Sequence, residues 1–153
     1  MPGPHFLVPL DFSESANQAL DYAIQLARAL GARVTLLHVI QSLPFTGVDM
    51  GATLPYTLLQ DLEAEVRRRM ASALERVTAA GLEGDIVVVH GVPWHDIIET
   101  AKTHQVALII MGTQGRTGYE RLLVGSVAET VVRLAPCPVL VARQPTVTVV
   151  PVS

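Results

Sequence analysis

Two kinds of segment alternate along this chain. The first kind is short and almost unbrokenly apolar: residues 6–10, 34–40, 86–89, 106–111 and 139–142. Runs of this length with no polar face predict strands buried on both sides. The second kind is periodic. Ala19, Leu20, Ala23, Ile24, Ala27 and Leu30 recur every three or four positions, as do Leu59, Leu62, Val66, Met70, Ala73 and Val77. These spacings predict amphipathic helices, closed by Gly31 and Gly81. Ser13 and Ser15 stand before the first helix, and Ser15 with Gln18 has the capping-box spacing. A third helix is expected over residues 93–103, with Ile97, Ile98 and Ala101 inward, and a short fourth over 126–134, capped by Ser126.

Strand and helix in regular alternation predict an α/β fold, a doubly wound five-stranded parallel sheet sandwiched by helices. Ligands of such sheets sit beyond the carboxyl ends of the strands, where the strand order reverses. The residues placed there are Asp11 and Ser13 after the first strand, Val39 and Ile40 ending the second, and Gly112 onward after the fourth. Residues 41–57 contain Pro44, Gly47, Gly51 and Pro55 without any period, which predicts a long loop. One domain is expected over 1–143, followed by a tail at 144–153. The tail's residues 146–149 alternate like a strand between Pro145 and Pro151.

Composition narrows the function. Of 153 residues, 50% are hydrophobic and only 16% charged, with a mean hydropathy of +0.40. That much apolar surface needs a well-covered sheet and favours a subunit interface. No apolar run approaches the roughly 20 residues of a membrane span, and the N-terminus lacks the pattern of a signal peptide. A net charge of −3 gives no electrostatic footprint for nucleic acid or an anionic membrane. The single cysteine, Cys137, permits no internal disulfide and fits a reducing, cytoplasmic setting. Lys102 is the only lysine, and it follows Ala101, so a P-loop is excluded. No G-x-G and no G-x-S-x-G occurs, which removes the dinucleotide fingerprint and the nucleophile elbow.

The chemistry concentrates in residues 112–127, where Gly112, Gly115, Gly118 and Gly125 precede Ser126. Glycines let backbone N–H groups approach an anion, and the following helix start adds its positive dipole end. A polyphosphate held this way needs no lysine. Plain turns would also explain the glycines. Asp11 suits either a ligand or a helix cap. Arg116 and Arg121 can reach a phosphate or remain in solvent. Arg67, Arg68 and Arg69 share a helix with Glu63, Glu65 and Glu75, which reads as a solvated, ion-paired face. His5, His38, His90, His95 and His104 have no metal-ligand spacing. His38 falls in a core strand, as a satisfied buried side chain. Trp94 and His95 open the third helix, to pack or to cover the mouth of the site. Cys137 reads as structural.

The spacing Gly112-x2-Gly115-x9-Gly125-Ser126 resembles the glycine signature of the ATP-binding branch of the universal stress protein family. Leu7-Val8-Pro9-Leu10-Asp11-Phe12-Ser13 is similar to that family's first strand and turn. Leu36-Leu37-His38-Val39 resembles its second strand, and Cys137-Pro138-Val139-Leu140-Val141 its last. The likeness covers residues 5–143. It implies a nucleotide-binding, α-hydrolase-like sandwich with strand order 3-2-1-4-5. It implies that Pro9, Leu10, Asp11 and Val39 line the adenosine end, flanked by Met111 and Gly112. Gln114, Gly115, Gly125, Ser126 and Val127 would hold the phosphates, with Arg116 beside them. It also implies ATP as ligand, with Mg or Mn carried on the phosphates, and a homodimer joined antiparallel at the fifth strand; the tail, from its own strand-like alternation, is expected to add contact to the partner. The function implied is an ATP-binding regulatory module of the stress response. A dimeric interaction protein whose site is empty or takes another ligand stays open. So does a slow ATPase, although no residue presents itself as the base.

Overall fold

A computed structural model describes residues 3–41, 56–113 and 125–143. The elements run β1 (His5–Pro9), α1 (Glu14–Leu30), β2 (Arg33–Gln41), α2 (Tyr56–Ala79), β3 (Gly84–Gly91), α3 (Pro93–Thr103), β4 (Leu108–Gly112), α4 (Ser126–Leu134) and β5 (Val139–Ala142). The five strands form one sheet in the order β3-β2-β1-β4-β5. All pairs are parallel, with Leu7 of β1 beside Thr35 of β2 and Ile109 of β4.

Alternation along each strand builds two cores. Phe6, Val8 and Leu36 point to one layer, with Leu20 of α1 and Met70 of α2. Leu7, Leu37 and Ile109 point to the other, with Ile97 of α3 and Val131 of α4. Each fully buried side chain of this size contributes about 1.5–3 kcal/mol. The buried face of α1 is mostly alanine (Ala16, Ala19, Ala23, Ala27). Small side chains let that helix lie close against the sheet.

The helix ends follow local chemistry. Ser13, not Ser15, caps α1: its Oγ accepts from the Ala16 N–H at 3.2 Å. Gly31 ends α1 in the left-handed region at φ 65°. In α3, Pro93 begins the helix and Asp96 reaches back to accept from the Val92 N–H at 2.8 Å. Gly125, not Ser126, is the cap residue of α4, and Ser126 is already helical.

Other boundaries shift from the sequence expectation. β4 begins at Leu108, because Val106 N–H still bonds to the Ala101 carbonyl and so belongs to the turn that closes α3. Gln105 makes that turn with φ 50°. β2 extends to Gln41 and α2 begins at Tyr56, so regular structure takes both ends of the expected 41–57 loop. Residues 42–55 and the tail 144–153 lie outside the described residues.

Candidate nucleotide-binding site

The chain passes from β1 to β2 to β3 on one side, then crosses back to place β4 and β5 on the other. The reversal falls between β1 and β4. Their carboxyl ends carry the Pro9–Asp11 turn and the Met111–Thr113 end of β4, and the start of α4 is bonded to the latter.

The turn after β1 is built from β2 outward. Pro9 ends β1 opposite Leu37. Leu10 N–H donates to the Leu37 carbonyl at 2.8 Å. The Leu10 carbonyl accepts from Nδ1 of His38 at 2.6 Å, which requires the His38 proton on that nitrogen. Leu10 is buried and packs into the α1/α2 layer, so its side chain faces away from the switch point. Oδ1 of Asp11 accepts from the Ser13 N–H at 2.9 Å, a local turn that precedes the cap. Asp11 is therefore not the cap of α1. Between them Phe12 takes φ 66°, a conformation that costs a non-glycine residue about 1–2 kcal/mol. Its ring stacks on His38 with centroids 4.6 Å apart, and the Arg69 guanidinium stands 5.2 Å from the ring centroid. These contacts over-determine the turn. No sequence signal marked Phe12 as left-handed, and only the burial of His38 pointed towards the stack.

On the β4 side, Met111 is buried and packs in the α3/α4 layer, where Val39 of β2 also packs, half-buried. Gly112 is required by packing. A Cβ there would come within 2.7 and 2.8 Å of the Ser15 carbonyl carbon and oxygen, in the first turn of α1. Thr113 is buried, and its carbonyl accepts from the Gly125 N–H. That bond joins the two described ends of the glycine segment and sets the first turn of α4 at the carboxyl end of β4. Gly125 has φ −60° and, lacking a side chain, supplies no cap. The first N–H groups of α4, at Ser126 and Val127, thus meet no side-chain acceptor from the cap position. Gln114, Gly115 and Arg116, like Arg121, lie outside the described residues.

Elsewhere the polar candidates settle into structural roles. Glu65 pairs with Arg68 at 2.7 Å and Arg69 at 3.0 Å. The Arg69 and Arg68 guanidiniums hold its carboxyl below the usual range. His90 pairs with Glu63 at 2.7 Å, and Trp94 meets His95 edge to face at 5.6 Å. Burial pushes the Cys137 thiol up, away from nucleophilic use. Among the described residues no three His, Cys, Asp or Glu side chains come together as metal ligands, and no helix is long and apolar enough to cross a membrane.

A parallel sheet whose strand order reverses between β1 and β4, covered by helices, defines a doubly wound α/β protein, the class whose ligands sit at that switch point. The chain belongs to the universal stress protein family, whose sequence model matches residues 4–143. It is 34% identical over 140 residues to universal stress protein MJ0531 of Methanocaldococcus jannaschii, covering 91% of this chain and 81% of that protein. The solved structure of MJ0577, from the same organism, matches with a TM-score of 0.80 at 30% identity, over 94% of this chain and 98% of that one. The Archaeoglobus fulgidus universal stress protein in complex with dAMP matches with a TM-score of 0.66 at 25% identity, over 94% and 100%.

Proposed function

We propose that this protein binds an adenine nucleotide, ATP, in the crevice between β1 and β4, and works in the cytoplasm as a nucleotide-dependent regulatory module of the stress response. The observation that carries this reading is the Gly125–Thr113 backbone bond, which holds the start of α4, with no side-chain cap from Gly125, at the carboxyl end of β4, beside the switch point. An anion there gains backbone N–H donors and the helix dipole without any lysine. The dAMP complex of the Archaeoglobus fulgidus relative supports an adenine nucleotide as the ligand.

In this arrangement Asp11 takes the nucleoside. Pro9, Val39 and Met111 wall the adenosine end, while Leu10 and Gly112 position that wall from behind. Gln114, Gly115, Arg116, Gly125, Ser126 and Val127 hold the phosphates, and a Mg or Mn ion enters already bound to them. The chain's own contribution is to bind and orient. Two copies join through the edge of β5, with the tail adding contact to the partner.

Mass spectrometry of small molecules released from the purified protein tests the ligand. Adenine nucleotide in the extract, and calorimetric binding of ATP, are expected. A clean extract together with no binding at millimolar ATP returns the protein to the class of dimeric interaction proteins.

A further inference from the structure

On the opposite side of the β1–α1 turn from the crevice, α1 and α2 enclose a shallow pocket of about 220 Å³. Its floor is Leu10 and Phe12. Its walls are Asn17 of α1 and Arg69, Ser72 and Arg76 of α2. Arg69 and Arg76 lie two helical turns apart on one face, with Ser72 between them. Two arginines, a serine and an asparagine thus line it above an apolar floor, and among the described residues no acidic side chain lines it.

The arginines are tethered from outside. Nε of Arg69 donates to Glu65 at 3.0 Å, and Arg76 pairs with Asp21. Among the described residues Glu65 is the only side chain that accepts from Arg69, and it does so through Nε. Both ion pairs are exposed, and such pairs are weak and screened by salt. They orient the guanidiniums while leaving the remaining N–H groups to a stronger, doubly charged acceptor. Arginine forks match phosphate oxygens in pairs, and the volume suits one phosphoryl group with a small apolar remainder.

We propose that this pocket is a second anion site, which takes the phosphoryl group of a small phosphate ester between Arg69 and Arg76. The proposal does not depend on what binds the crevice. Inorganic phosphate is the probe, titrated into the whole protein and followed by backbone amide and arginine Nε signals in NMR. Saturable shifts at Asn17, Ser72, Arg69 and Arg76 are expected. Shifts at Ser126 and Val127 would report the crevice separately. Arg69→Gln and Arg76→Gln should each weaken phosphate at the pocket roughly tenfold, as loss of a charge-assisted bond does. Asp21→Asn should tighten it roughly threefold, because it removes a competing carboxylate from Arg76. Methyl phosphate binding more tightly than phosphate would mark the ester, and equal affinity the free anion, as the natural source. Shifts that do not saturate, or affinities unmoved by all three substitutions, overturn the site.

Discussion

Two glycines at the carboxyl edge of the sheet make opposite predictions. At Gly112 a methyl group would collide with the Ser15 main chain, which cannot move aside without shifting α1. Gly112→Ala should cost about 1–3 kcal/mol, as overpacking does, measured by denaturant unfolding. Gly125 is different. Its φ of −60° is open to any residue, so Gly125→Val should leave the fold intact. Its side chain would enter the space given to phosphate, and ATP affinity should fall at least tenfold by calorimetry, the loss of at least one charge-assisted bond. A folded Gly125→Val protein that binds ATP normally would remove the phosphates from this corner. Sequence alone gives these two glycines the same reading, since spacing carries no record of what faces a missing Cβ. Asp11→Ala should weaken ATP and AMP alike by about 1–3 kcal/mol, because the residue is assigned to the nucleoside. A loss confined to ATP would place Asp11 near the phosphates.

At the scale of elements, the order and kind of the nine among the described residues were legible, because burial writes itself as runs and periods. Ends were less so. Ser126 has the composition of a cap, yet the cap is Gly125, since the Gly125–Thr113 bond decides where helical geometry begins. The strand order followed from the family resemblance, but side-chain links across the sheet were not legible. At the amino end of the sheet, Nε2 of His5 lies 2.6 Å from Thr35 Oγ1, Thr35 donates to Asp85, and Nδ1 of His5 lies 3.2 Å from the His104 carbonyl. This links β1, β2, β3 and the end of α3. Burial lowers the His5 pKa, with Arg33 and His104 adding to it, while the His104 carbonyl and Asp85 oppose. A histidine whose folded pKa lies below its unfolded value takes up a proton more readily when unfolded. Its stabilising effect is complete above the unfolded value of about 6.5 and is lost as pH falls towards the folded value. Stability should therefore decline on acidification below about pH 6.5, by up to about 1.4 kcal/mol per pH unit from this group. His5→Asn should flatten that decline in urea titrations run at several pH values. An unchanged slope would assign it to other groups.

At the scale of the molecule, β5 is an edge strand, paired among the described residues only with β4. Val139, Leu140 and Val141 are half-buried there, and Val132 and Leu134 of α4 are exposed. An apolar edge of this kind favours pairing with a second copy. Deleting residues 144–153 should weaken that dimer, read by analytical ultracentrifugation across a dilution series, while ATP binding survives. An unchanged dissociation constant would reduce the tail to a frayed end.

The bond between Thr113 and Gly125 also ties the end of β4 directly to the start of α4. Both points of attachment are fixed by the sheet and by α4, so what is inserted between them does not transmit its length to the frame. Closing a longer loop costs little, about 0.6 kcal/mol for each doubling. A few added Gly-Ser residues should barely move the unfolding midpoint while altering which anions the crevice accepts. If the crevice is the site proposed above, its ligand preference can thus drift, or be engineered, at almost no expense to folding.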